Sequence, residues 1–166
     1  MKIILKNNSK LEQITKRVLL YFIKEYNPPC WIKRVVVDEK AKRSYSHPTY
    51  IIMAVKMDWS PMAMCENFIH EQFHYYAQHL DEKIIANFLV YIKKKYKWNV
   101  YEFTDFNNFT EHLCVCYNTI KFMRKYMNST DEFLADGSIY KTFVWFIINN
   151  WERVTNDLKK FHAIYK

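Results

Sequence analysis

The sequence predicts an α+β fold: one helix, a short sheet of two or three strands, and then a run of helices. Three observations carry that expectation. Gly137 is the only glycine in 166 residues, so few turns can use the positive φ angles that tight hairpins need. Trp31 to Asp38 is rich in β-branched residues, whereas helical spacing of apolar residues recurs elsewhere. A composition of 50% hydrophobic and 25% charged residues has the balance of a globular chain, and the length suits a single domain spanning 1–166.

Ser9 reads as the cap of a first helix, with Glu12 completing a capping box. Leu11, Ile14, Val18, Leu19 and Phe22 then recur at helical spacing to about Glu25, where Asn27-Pro28-Pro29 stops the run. Trp31 to Asp38 reads as a strand, Glu39 to Pro48 as a polar, basic loop, and Tyr50 to Val55 as a second strand antiparallel to the first. Ser60-Pro61 opens a helix, Ser as N-cap and Pro at its first position. On it Met62, Cys65, Ile69, Phe73, Tyr76 and Leu80 fall in one narrow arc and predict the core face. Asp81 caps a helix to about Tyr96, residues 97–107 read as irregular, and a further helix spans about Phe109 to Met127. Asn128 to Asp131 is a loop and cap, Gly137 punctuates a short segment, and a last helix runs from about Ser138 almost to the C-terminus. The expected core is residues 30–96, with a helical extension over 105–166.

Several function classes lose ground on composition. The formal charge of +8 and pI of about 9.2 would help binding to nucleic acid. The lysines are scattered, however, and the densest run, Lys93 to Lys95 with Lys97, reads as a solvated helix end. Cys30, Cys65, Cys114 and Cys116 contain no Cys-x-x-Cys pair, which argues against a structural zinc knuckle and for reduced thiols. The apolar run at Met1 to Lys6 is too short for a signal peptide, and Phe143 to Ile148 is too short to span a membrane. The expectation is a soluble, cytoplasmic protein with no membrane partner.

One motif carries chemistry. His70 and His74 differ by about 40° in direction and roughly 6 Å in height on a helix, so two imidazoles can reach one ion from the same side. Glu71 points about 60° from His74 and can hold a water there. His70-Glu71-Gln72-Phe73-His74 is thus a His-Glu-x-x-His pattern, whose usual metal is Zn2+ with Glu as general base. In a chain of this composition the pattern is expected by chance only about 0.01 times. Its flanks, Phe68, Ile69, Tyr75 and Tyr76, carry no charge. The predicted core stripe leaves both histidines on its edge.

A strand at Tyr50 to Val55 followed by a helix bearing Phe68 to Tyr76 resembles the minimal zincin metallopeptidase fold, and most of all the small gluzincin-like domains. The resemblance covers about residues 30–96. It implies that Tyr50, Ile51, Ile52, Met53, Ala54 and Val55 line a cleft and pair with an extended peptide. Zincins often have Val or Thr three residues before the first His, where this chain has Asn67.

A catalytic zinc needs a third protein ligand and an open position. His79 would point about 160° away from the pair on a continuing helix, and reads as a surface residue. The gluzincin pattern takes a Glu from the next helix, for which Glu82 beside Asp81 is the nearest candidate. It needs a turn near His79 to Asp81, and it also fits a plain first-turn acid. Glu102, Glu111 with His112, Glu132 and Asp136 are the other candidates; Asn87 is an amide and a poor ligand. His47 and His162 read as surface residues. Tyr75, Tyr76 and Tyr140 are candidate oxyanion donors.

The function expected from these residues is hydrolysis of a peptide or protein substrate, with Glu71 as general base and His70, His74 and Glu82 around Zn2+. Two alternatives stand beside it. One is a catalytically degenerate zincin-like domain that binds or regulates. The other is a basic helical nucleic-acid binder in which the motif is accidental.

Overall fold

The computed structural model describes residues 1–96, 103, 107–136, 138 and 140–165, together with the backbone alone at Phe106. The chain divides into two compact units, Met1–Tyr75 and Tyr76–Lys166. Among the described residues there are four strands and seven helices, the expected α+β order with a larger sheet.

The first unit holds β1 (Lys2–Leu5), α1 (Lys10–Tyr26), β2 (Arg34–Asp38), β3 (Tyr45–His47), β4 (Tyr50–Ala54) and most of α2 (Pro61–Gln78). It begins well before residue 30 because β1 and α1 belong to it. Ser9 caps α1, accepting from the Glu12 backbone N–H at 3.2 Å. The other half of the capping box does not form. Glu12 reaches past Ser9 and accepts from the backbone of Asn7 at 2.9 Å and of Glu39 at 3.1 Å, tying together the C-terminal ends of β1 and β2. Asn27 ends α1 in the left-handed region, φ 42°, which Asn tolerates better than most residues.

The sheet order is β1-β2-β4-β3. β2 and β4 are parallel, in register Val35 with Ile51 and Val37 with Met53, and not antiparallel as the short connection suggests. The intervening loop contains β3, which forms a two-residue hairpin with β4 through Pro48-Thr49 and takes the edge. That excursion is the crossover parallel strands require. Val35, Val37, Ile51 and Met53 are fully buried. α1 packs on β1 and β2, and its Phe22 meets Phe68 of α2 edge-on at 6.3 Å.

The second unit takes the last turn of α2, then α3 (Glu82–Lys95), α4 (Phe106–Met127), α5 (Asp131–Asp136), α6 (Lys141–Asn149) and α7 (Trp151–Lys160). Asp81 caps α3 as expected, accepting from Lys83 and Ile84. The expected single last helix is two, because the backbone at Asn150 leaves helical values at φ -120° and ψ 28°. α4 is the central element: Leu113, Cys114, Val115, Cys116, Tyr117 and Ile120 are all buried. Gly137 and Glu102 lie outside the described residues. No helix among the described residues is long and apolar enough to cross a membrane.

Candidate metal centre

α2 forms because Ser60 and Pro61 start it: Ser60 Oγ accepts from the Ala63 backbone N–H at 3.1 Å, and Pro at the first position has no N–H to satisfy. Within the first unit its buried side chains are Met64, Cys65, Phe68, Ile69, Glu71, Gln72 and Phe73, an arc of about 200° at helical spacing. Burial of Phe68, Glu71 and Gln72 turns the core face by about 60° from the expected stripe. His70 and His74 therefore lie opposite that arc and not on its edge. Both are half-buried, and their rings meet edge-on with centroids 4.9 Å apart.

The helix is anchored through the motif itself. Gln72 is fully buried, and its side-chain amide both donates to and accepts from the main chain of Ile32, each at 3.0 Å. Trp31 packs edge-on against Phe73 at 5.8 Å. Glu71 is 5% exposed. One turn before His70, burial pushes the Glu66 carboxyl up to about 8.

The third group is His112 in α4. One ligand atom each from His70, His74 and His112 lies within 4.8 Å of the others. Zinc bound by tetrahedral imidazoles, with Zn–N near 2.0–2.1 Å, puts the nitrogens about 3.4 Å apart. His112 is also held as a ligand should be. Its Nδ1 lies 2.9 Å from the carbonyl of Asn108, which places the proton on Nδ1 and leaves Nε2 to bind an ion. Its ring packs against Tyr140 at 4.5 Å and Phe103 at 5.2 Å between centroids. The donor set fits zinc: three imidazoles with a position left over.

The remaining candidates fall elsewhere. Glu82 is exposed at the first turn of α3, and the metal-competent group among the described residues does not include it. The same holds for Glu111, which accepts from Gln78 at 3.0 Å, for exposed Glu132, and for Asp136, paired with Lys141 at 2.6 Å. His79 is exposed just past α2, and His47 stacks on Tyr50 at 4.6 Å. Tyr76 donates to the carbonyl of His162. The signal that points to His112 in the sequence is its setting, a polar residue in an apolar run; buried polar groups need partners.

The substrate-strand expectation is corrected by topology. β4 lies between β2 and β3, and next to β3 the Ala54 N–H is taken by Ser44 Oγ at 2.9 Å. With both edges committed, Tyr50 to Ala54 cannot pair with a peptide, and Val55 lies beyond the strand. Among the described residues the open edge on that side is β3. Its approach is fixed to α2 by Asn67, which donates to Ser44 Oγ at 2.6 Å.

The four cysteines form no disulfides, and burial raises the Cys65 and Cys114 thiols to about 12, too high for nucleophiles. The chain matches no family model, no curated protein and no solved structure.

Proposed function

We propose that the protein is a zinc-dependent peptidase in which His70, His74 and His112 hold the metal and Glu71 is the general base. The observation that carries this reading is the approach of a third imidazole, already oriented by Asn108, to the His70–His74 pair.

Zinc held there would polarise a scissile carbonyl and lower the pKa of a water. Glu71 follows His70 directly on α2, and its carboxylate would take the proton of the attacking water and deliver it to the leaving amine. Burial of Glu71 suits that role, since a closed site keeps bulk water from competing for the carboxylate. Tyr140, packed against His112 at 4.5 Å between ring centroids, would be the donor to a developing oxyanion. The main-chain edge of β3 would align an extended peptide, with the Asn67–Ser44 bond keeping that edge in step with α2.

The test joins metal content to activity. Protein purified without added metal should carry stoichiometric zinc. Glu71→Gln should keep the zinc and lose peptide cleavage by about 10²–10⁴-fold, the usual contribution of a general base. Normal cleavage by Glu71→Gln would overturn the mechanism. Absence of zinc, with stability unmoved by a chelator, would favour a degenerate zincin-like binding domain.

A further inference from the structure

The pairing register places Ile4, Val36, Ile52 and Tyr45 in one row across the four strands. They alternate with the fully buried Val35, Val37, Ile51 and Met53, and so point to the opposite face of the sheet. At the β3 end of that row is an open hollow of about 420 Å³, floored by Ile52 and Tyr45 and rimmed by Lys6, Asp38, Lys42 and Arg43. Asp38 does not neutralise it. Its carboxylate already accepts from Lys6 Nζ at 2.8 Å, the Lys40 backbone N–H at 2.9 Å and Asn7 Nδ2 at 3.3 Å. Lys42 and Arg43 are exposed, and neither forms an ion pair among the described residues. The hollow therefore has an apolar floor and two cations to spare.

These cations stand beside the free edge of β3. Arg43 and Ser44 lead directly into Tyr45, and Ser44 is bonded to Asn67, which is about 60° from His70 and 20° from His74 around α2. The histidine side of the helix is thus the side that faces the start of β3. A strand added to β3 would present every second side chain to the face shared by Tyr45 and His47, with cross-strand neighbours about 5 Å away. A carboxylate on that strand near Tyr45 would meet Lys42 and Arg43.

We infer that β3 and its hollow select acidic peptides in extended conformation, with an Asp or Glu side chain of the peptide seated against Lys42 and Arg43. The inference rests on the peptidase reading and names its substrate class. The net charge of +8 works in the same direction by drawing acidic chains to the protein.

Binding can be read without cleavage. Labelled peptides identical except for acidic, neutral or basic residues are titrated by fluorescence anisotropy into zinc-loaded Glu71→Gln at low salt. The acidic peptide should bind about ten-fold tighter than the neutral one, the effect of two partly exposed ion pairs. Lys42→Gln with Arg43→Gln should erase that preference, and Lys42→Glu with Arg43→Glu should reverse it. Equal affinities, a preference that survives charge reversal, or displacement of the acidic peptide by equimolar duplex DNA would each overturn the inference. Cleavage by the wild-type protein separates the two ideas. Hydrolysis without charge preference leaves the peptidase reading standing and sinks this one. An acidic preference in binding, with no peptide cleaved, does the opposite.

Discussion

Gln72 holds Ile32 by two hydrogen bonds, one in each direction, both 3.0 Å long. A side chain inside the His-Glu-x-x-His motif thereby pairs with the main chain just before β2, as a neighbouring strand would. Both partners are buried. Gln72→Leu keeps the volume but leaves a buried N–H and a buried carbonyl unpaired, each costing about 1–3 kcal/mol. Urea unfolding of the zinc-free protein should show a loss of about 2–6 kcal/mol, with weaker zinc binding after refolding. Unchanged stability would mean that water replaces the amide there and that the bond positions nothing.

Third-ligand identity separates sharply by mutation. His112→Ala should weaken zinc binding by more than about 100-fold, because removing even a group that merely orients a ligand costs about 10–100-fold. His112→Gln, which retains bulk, should behave alike and guards against simple misfolding. Glu82→Ala, exposed in the first turn of α3, should bind zinc as the wild type does. Competition with a chromophoric chelator reads all three. The reverse ranking, loss with Glu82→Ala and none with His112→Ala, would transfer the site to the carboxylate.

Glu66 makes the stability of the first unit depend on pH. Burial moves its carboxyl from an ordinary 4.5 up to about 8, so the folded chain favours the protonated form. The contribution is fully present below pH 4.5 and is lost as pH rises towards 8, at up to about 1.4 kcal/mol per unit. Glu66→Gln cannot ionise. Its stability advantage over the wild type should be near zero at pH 4.5 and should grow through pH 8, reaching on the order of 4 kcal/mol. Denaturant melts of the zinc-free proteins at several pH values give the difference. A gap constant with pH would show that Glu66 ionises freely in the fold.

Local chemistry was readable in the sequence where one residue decides an outcome. Ser9, Ser60-Pro61 and Asp81 start helices by satisfying or lacking backbone donors, and α1, α2 and α3 begin after them. Long-range pairing was not. β1 is four residues whose apolar content reads equally as a frayed terminus, and β3 is a polar edge strand, Tyr45 to His47, inside a basic loop. Without β3 the short link between β2 and β4 implies a hairpin, and the parallel register follows only once β3 occupies the edge. His112 shows the same limit. Its spacing from His70 and His74 carries no helical period, so nothing in the sequence ties it to the pair.

Asp157 is a buried charge of the second unit, 1% exposed. Tyr91, Lys95 and Tyr96 of and beside α3 all donate to its carboxylate on α7. Burial alone would raise this acid, but the donors from Lys95, Tyr96 and Tyr91 outweigh it and hold the carboxyl below its ordinary 3.8. A depressed acid stabilises the fold above its unfolded value, and that contribution is lost as pH falls below about 4. Asp157→Asn keeps the shape but removes the charge, so Lys95 loses its partner and an amide N–H faces donors. Breaking a buried pair in this way costs about 3–5 kcal/mol. Tyr96→Phe removes one donor to a charged group and should cost about 1.5–3 kcal/mol. The two single changes touch one carboxylate, so in the double variant they should sum to less than their parts. Thermal or urea unfolding of the four proteins measures the cycle. Strict additivity would show that Tyr96 stabilises α3 by its ring packing against Phe109 and Phe146 and not through Asp157.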